Sequence, residues 1–72
     1  MVRENLTTIG TIIGRARKQR KWSLRELERR SGVHNSIICQ IENGHIKDPS
    51  FRKVVRLARA LDLRLYPLAD EM

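Results

Sequence analysis

A single cysteine, Cys39, stands in the 72 residues of this sequence, so the chain holds no internal disulfide. A lone thiol fits a reducing compartment and excludes the stapled frameworks of small secreted domains. His34 and His45 are isolated, and with one cysteine they complete no metal-ligand spacing; neither a metal nor a cofactor is expected. Acidic residues are also scarce. Eight Asp and Glu face 15 Lys and Arg, for a net charge of +7. No apolar run approaches the roughly 20 residues of a membrane span, and the N-terminus lacks a signal-peptide core. Repeats and low-complexity tracts are missing, as are a glycine-rich phosphate loop, a Ser/His/Asp spacing and paired carboxylates in an apolar setting. Catalysis therefore has no support. What remains is a basic, non-enzymatic, cytoplasmic protein of one domain. A domain this small buries only about 60% of its unfolded surface, and without a staple a second copy is the expected stabiliser.

The cations that are present fall in two blocks, Arg15 to Arg30 and Lys47 to Arg59. Such a surface attracts polyanions; the plainer alternative is a basic face that only keeps the chain soluble. Apolar periodicity divides the chain into helices. Ile9, Ile13 and Ala16 share one stripe, flanked by Ile12, and predict a first helix from about Thr8 to Arg20. Ser23 and Glu26 form S-x-x-E, a capping box, before a second helix with Leu24 and Leu27 inward. Gly32 stops it, and Val33 is the apolar residue of the turn. A third helix is expected from about Asn35 to Asn43, with Ile37, Ile38 and Ile41 apolar and Gly44 at its end. Its intrinsic propensity is poor, so tertiary packing must hold it. Ser50 caps a fourth helix reaching about Leu61, whose stripe is Phe51, Val54, Val55, Leu57, Ala58 and Leu61. After it the period changes: Leu61, Leu63 and Leu65 alternate with Asp62 and Arg64, which suits a short strand that Pro67 confines to an edge or ends.

The stretch from Ser23 to Gly44, SLRELERRSGVHNSIICQIENG, thus reads as two short helices around a glycine turn. That is the layout of a helix-turn-helix, whose second helix lies in the DNA major groove. Further landmarks keep this register: Ile9-Gly10, Arg17, the S-L-x-x-L frame of Ser23, Leu24 and Leu27, then Gly32-Val33 and Ile38. Ile41-Glu42-x-Gly44, Pro49 and the closing Leu57-Ala58-x-Ala60-Leu61 complete it. From Ile9 to Leu63 the chain resembles the lambda-repressor-like, Cro-type helix-turn-helix regulators, the Xre family. The resemblance implies an all-α fold, a DNA-binding bundle of four to five helices, here with a short C-terminal β-strand. Residues 1–7 read as an N-terminal arm, 8–61 as the DNA-binding domain, and 62–72 as a dimerisation strand and tail.

The resemblance also assigns roles. Arg17 and Glu42 are expected to pair across the first and third helices, a guanidinium fork on a carboxylate. Base reading falls to His34, Asn35, Ser36, Cys39 and Gln40; Asn and Gln bridge N6 and N7 of adenine. Two of these remain open. Cys39 is either a small buried thiol or a thymine-methyl contact, and His34 is either a base contact or a weak helix cap. Phosphates should meet the N-termini of the second and fourth helices, through Ser23 and the amides near Leu24, and through Asn43, Lys47, Ser50, Arg52 and Lys53. Three positions depart from the family pattern. Leu24 replaces a frequent glutamine, Glu28 a usual alanine, and Asp48 a residue that is often basic or neutral. Glu28 is expected to tilt towards Arg30 or Arg52, or to widen the helix crossing.

Leu63, Leu65, Tyr66 and Leu68 are the expected dimer interface, because a lone strand pairs its backbone only with a second copy. This alternation is similar to that of HipB-like antitoxins. The implied function is a dimeric transcriptional regulator, a repressor on a palindromic operator, nucleoid-associated when bound to DNA. The alternatives are an antitoxin or restriction-modification control protein with a protein partner such as a toxin, and a helical adaptor.

Overall fold

A computed structural model describes residues 8–63, and among them the secondary structure is helical: α1 (Ile9–Gln19), α2 (Leu24–Ser31), α3 (Asn35–Glu42) and α4 (Phe51–Leu61). Every helix opens on a side-chain cap. Thr8, Ser23 and Ser50 accept from the backbone N–H groups of Thr11, Glu26 and Lys53, at 3.2, 3.0 and 3.3 Å. His34 caps α3, its Nδ1 accepting from the Ser36 N–H at 3.1 Å. Each cap satisfies a donor that the helix cannot, worth about 1 kcal/mol.

The capping box at Ser23 is formed from one side only. The Ser23 hydroxyl takes the Glu26 amide, but the Glu26 carboxylate turns to Arg29 and Arg30 on its own helix. Two guanidinium groups one turn away outcompete a single backbone N–H. They also hold the Glu26 carboxyl below its ordinary range.

α1 packs on α3 and α4, and α2 on the same pair. Between them Ile13, Leu27, Ile38, Ile41, Leu57 and Leu61 are almost wholly buried, with Ala16, Val33 and Ala58 completing the centre. Burial of each large aliphatic side chain contributes about 1.5–3 kcal/mol. It is this burial that holds α3 helical despite its isoleucines and its asparagine. Two glycines set the geometry. Gly32 ends α2 at φ +81°, a left-handed conformation that side chains disfavour, and so turns the chain into α3. Gly10 lets α1 touch the end of α3: a Cβ there would lie 2.1 Å from the Ile41 carbonyl oxygen.

The fourth helix departs from its expected stripe at one end. Phe51, its first residue, is 65% exposed, because the core begins only a turn later. At the other end Leu61 is the last helical residue and is fully buried, as its place on the apolar stripe predicts. Asp62 then adopts φ +57°, and the Leu63 amide returns to the Ala58 carbonyl at 2.8 Å. That is a helix-closing turn, and it lays Leu63 against the core. The expected strand therefore loses Leu63 to the cap of that helix. Leu65, Tyr66 and Leu68 lie outside the described residues, as does the expected arm at 1–7.

Candidate nucleic-acid interface

α3 buries Ile38 and Ile41 and turns the opposite face outward. Ser36, Cys39, Gln40 and Asn43 are exposed along it, at the three- and four-residue spacing of one helical stripe. Cys39 is thereby settled as a surface thiol rather than a buried one. The Asn43 amide approaches its sulfur at 3.9 Å. The oxygen of Asn43 accepts from the His45 N–H at 3.1 Å, shaping the loop that follows.

The start of the stripe is more constrained than its middle. His34 serves as the cap of α3, and its Nδ1 also lies 2.9 Å from the Ser36 hydroxyl. Asn35 is half-buried, and its Nδ2 donates to Oε1 of Glu28 on α2 at 2.7 Å. Glu28 thus points to neither Arg30 nor Arg52. It bridges the Gly32 turn, and the Asn35 hydrogen bond is the largest of the influences that hold its carboxyl below the ordinary range.

The far end of α3 is fixed differently. Arg17 donates from Nε to Oε2 of Glu42 at 2.7 Å and from Nη2 to Oε1 at 2.9 Å, the expected fork. Its remaining terminal nitrogen donates to the Trp22 carbonyl at 2.8 Å. One guanidinium therefore ties together α1, the α1–α2 loop and α3. Both side chains are only 13% exposed. The hydrogen bond that Arg17 donates to Glu42 raises the Arg17 pKa, outweighing the opposite effect of partial burial.

The cations expected at phosphate are placed at the surface. Lys47, Ser50, Arg52 and Lys53 are exposed around the start of α4, while Leu24 at the start of α2 is half-buried against the core. One group at this surface carries no warning in the sequence pattern. The Arg30 guanidinium lies over the Trp22 ring at 4.2 Å, and that of Arg20 lies at 5.5 Å. Such stacking holds cations in place, Arg30 while it also pairs with Glu26. The only signal was one tryptophan inside a basic block. Among the described residues no three His, Cys, Asp or Glu side chains gather to hold a metal, and no helix is long and apolar enough to cross a membrane.

Comparison with known proteins decides the family, since a helix-turn-helix profile matches residues 13–68. The chain belongs to the Xre-type helix-turn-helix family. That family is one of DNA-binding transcription regulators and not an enzyme class. Its members include the HTH-type transcriptional regulator SinR of Bacillus subtilis, 33% identical over 63 residues, which cover 88% of this chain and 57% of that protein. An uncharacterised HTH-type regulator of Sinorhizobium fredii, y4dL, is 48% identical over 50 residues, 69% of this chain and 25% of that protein. The chain therefore spans only a quarter to rather over half of these relatives. Among solved structures, SinR, described as the master regulator for biofilm formation and crystallised in complex with DNA, superposes with a TM-score of 0.77. The identity there is 32%, over 88% of this chain and all of that one.

Proposed function

We propose that this chain binds double-stranded DNA in a sequence-specific manner and serves as a transcriptional regulator. In this reading α3 enters the major groove, and Ser36 and Gln40 read base edges with Asn35 beside them. The N-termini of α2 and α4 meet phosphates on either side. The observation that carries the proposal is the exposed polar stripe of α3, held between Glu28 and Arg17–Glu42, in a chain of charge +7. Its likeness to a relative crystallised with DNA supports the same reading. Cys39, exposed between Ser36 and Gln40, is suited to a thymine methyl. His34 is left to the cap.

The test is binding to duplex DNA across a salt series. Affinity should fall steeply and linearly on logarithmic axes as salt rises, because each phosphate contact releases counterions. Affinity that ignores salt would leave the protein-binding adaptor as the better account.

One such domain covers one half-site, so the proposal includes a homodimer on a palindromic operator, acting as a repressor. The apolar residues Leu65, Tyr66 and Leu68 are the proposed contact, with Leu63 reduced to a flank because it closes α4. Truncation after Leu63 keeps that closure and should give a monomer by light scattering. A truncated chain that still dimerises would move the interface elsewhere. The same segment leaves room for an antitoxin or control-protein role, for which a co-purifying toxin or endonuclease is the distinguishing result.

A further inference from the structure

Glu28 stands on α2, and the structure gives its carboxylate a partner on α3. Asn35 opens α3, and its Nδ2 donates to Oε1 of Glu28 at 2.7 Å. An asparagine amide has two orientations that exchange its oxygen with its nitrogen. Beside an ionised carboxylate these are unequal: the N–H edge is attracted, and the oxygen is repelled. The Glu28 carboxyl is held below its ordinary range, first by this hydrogen bond, so it is ionised at neutral pH. Asn35 is thereby fixed with nitrogen towards α2 and oxygen away from it.

We propose that Glu28 is a positioning residue that decides which base Asn35 reads. The inference rests on the reading of α3 as the major-groove helix. With its oxygen turned away from Glu28, Asn35 offers an acceptor with its second N–H beside it, and a base facing the oxygen must supply a donor. In the major groove only adenine N6 and cytosine N4 do so; guanine and thymine present acceptors there. The tie thus selects an adenine or a cytosine at one position of each half-site. Without Glu28 the amide turns freely, offers its N–H groups as readily as its oxygen, and the selection is lost. Gln40 and Ser36 are exposed, and no hydrogen bond to Glu28 links them to it, so what they read should be unaffected.

The experiment is selection of bound duplexes from a random library, followed by sequencing, with the full chain and its Glu28→Gln and Asn35→Ala variants. The glutamine keeps the size of Glu28 but bonds either amide orientation. The wild-type chain should enrich adenine or cytosine at the position whose preference Asn35→Ala abolishes. A well-placed contact discriminates by roughly 5- to 150-fold. Glu28→Gln should bring that ratio close to one and leave the other positions as they were. An unchanged ratio in Glu28→Gln, with a clear wild-type motif, would overturn the proposal while leaving the DNA reading intact. A wild-type chain that enriches no motif would overturn the DNA reading and this inference with it. In the Asn35→Ala background, Glu28→Gln should change nothing further; a change there would mean that Glu28 touches the base itself. A measurement on the unaltered protein guards against a variant that fails to fold. The Asn35 side-chain amide resonances should shift as Glu28 is protonated, and resonances that stay fixed through that titration would contradict the tie.

Discussion

Two carboxylates grip the two ends of α3, and they do so in opposite ways. At the C-terminal end Glu42 is enclosed, receives two guanidinium bonds from Arg17, and shares that guanidinium with the Trp22 carbonyl. Three of the Arg17 N–H groups are used in this cluster, and both side chains are only 13% exposed. At the N-terminal end Glu28 receives one amide bond from a residue that stands at the start of the exposed stripe. The first arrangement fixes where the helix lies. The second conditions what its first side chain presents. Charge makes the difference: breaking the shielded ion pair strands a second charge, whereas the part-buried Glu28–Asn35 bond sets one carboxylate against a neutral amide.

The contrast is broken most severely at Gly10. Alanine there would place a Cβ 2.1 Å from the Ile41 carbonyl oxygen, and backbone cannot yield as a flexible side chain does. Gly10→Ala should lower stability by about 3 kcal/mol, seen as a fall in the urea midpoint. Next is Glu42→Ala, which strands the Arg17 guanidinium in a shielded site. A loss of about 2 kcal/mol is expected in the same measurement. Ser23→Ala removes only the α2 cap and should cost about 1 kcal/mol. The smallest effect is that of pH on the Glu28 end. Its carboxyl pKa is lowered from 4.5 in the fold, so its contribution is complete above the ordinary carboxyl range. That contribution disappears as pH falls through the lowered value. The acid limb of the stability profile should therefore be slightly shallower in Glu28→Gln than in the wild-type chain.

Much of this architecture was legible before any coordinate. Leu27, Ile38, Ile41 and Leu57 lie at helical spacing, and Ser23, Gly32 and Ser50 mark helix boundaries through local backbone chemistry. Long-range pairing was less accessible. Arg17–Glu42 followed from resemblance to a family, not from spacing, because 25 residues separate the partners. Glu28–Asn35 was missed since the turn geometry decides whether residues on either side of Gly32 meet. Phe51 was placed on the core stripe because a periodic pattern does not report where the core ends. Leu63 read as a strand residue alternating with Asp62, yet a left-handed Asp62 between the last helical leucine and a capping one gives the same spacing.

Gln40 tests the proposed base reading most directly. It is exposed at the middle of the α3 stripe and, unlike Asn35, is held by no hydrogen bond to α2. The measurement compares Gln40→Ala with the wild-type chain on a DNA duplex selected for tight binding and on a random duplex, at one salt concentration. The account predicts a loss of roughly 1–3 kcal/mol on the selected duplex and little on the random one. An equal loss on both would contradict it, and would make α3 a phosphate contact rather than the helix that reads sequence.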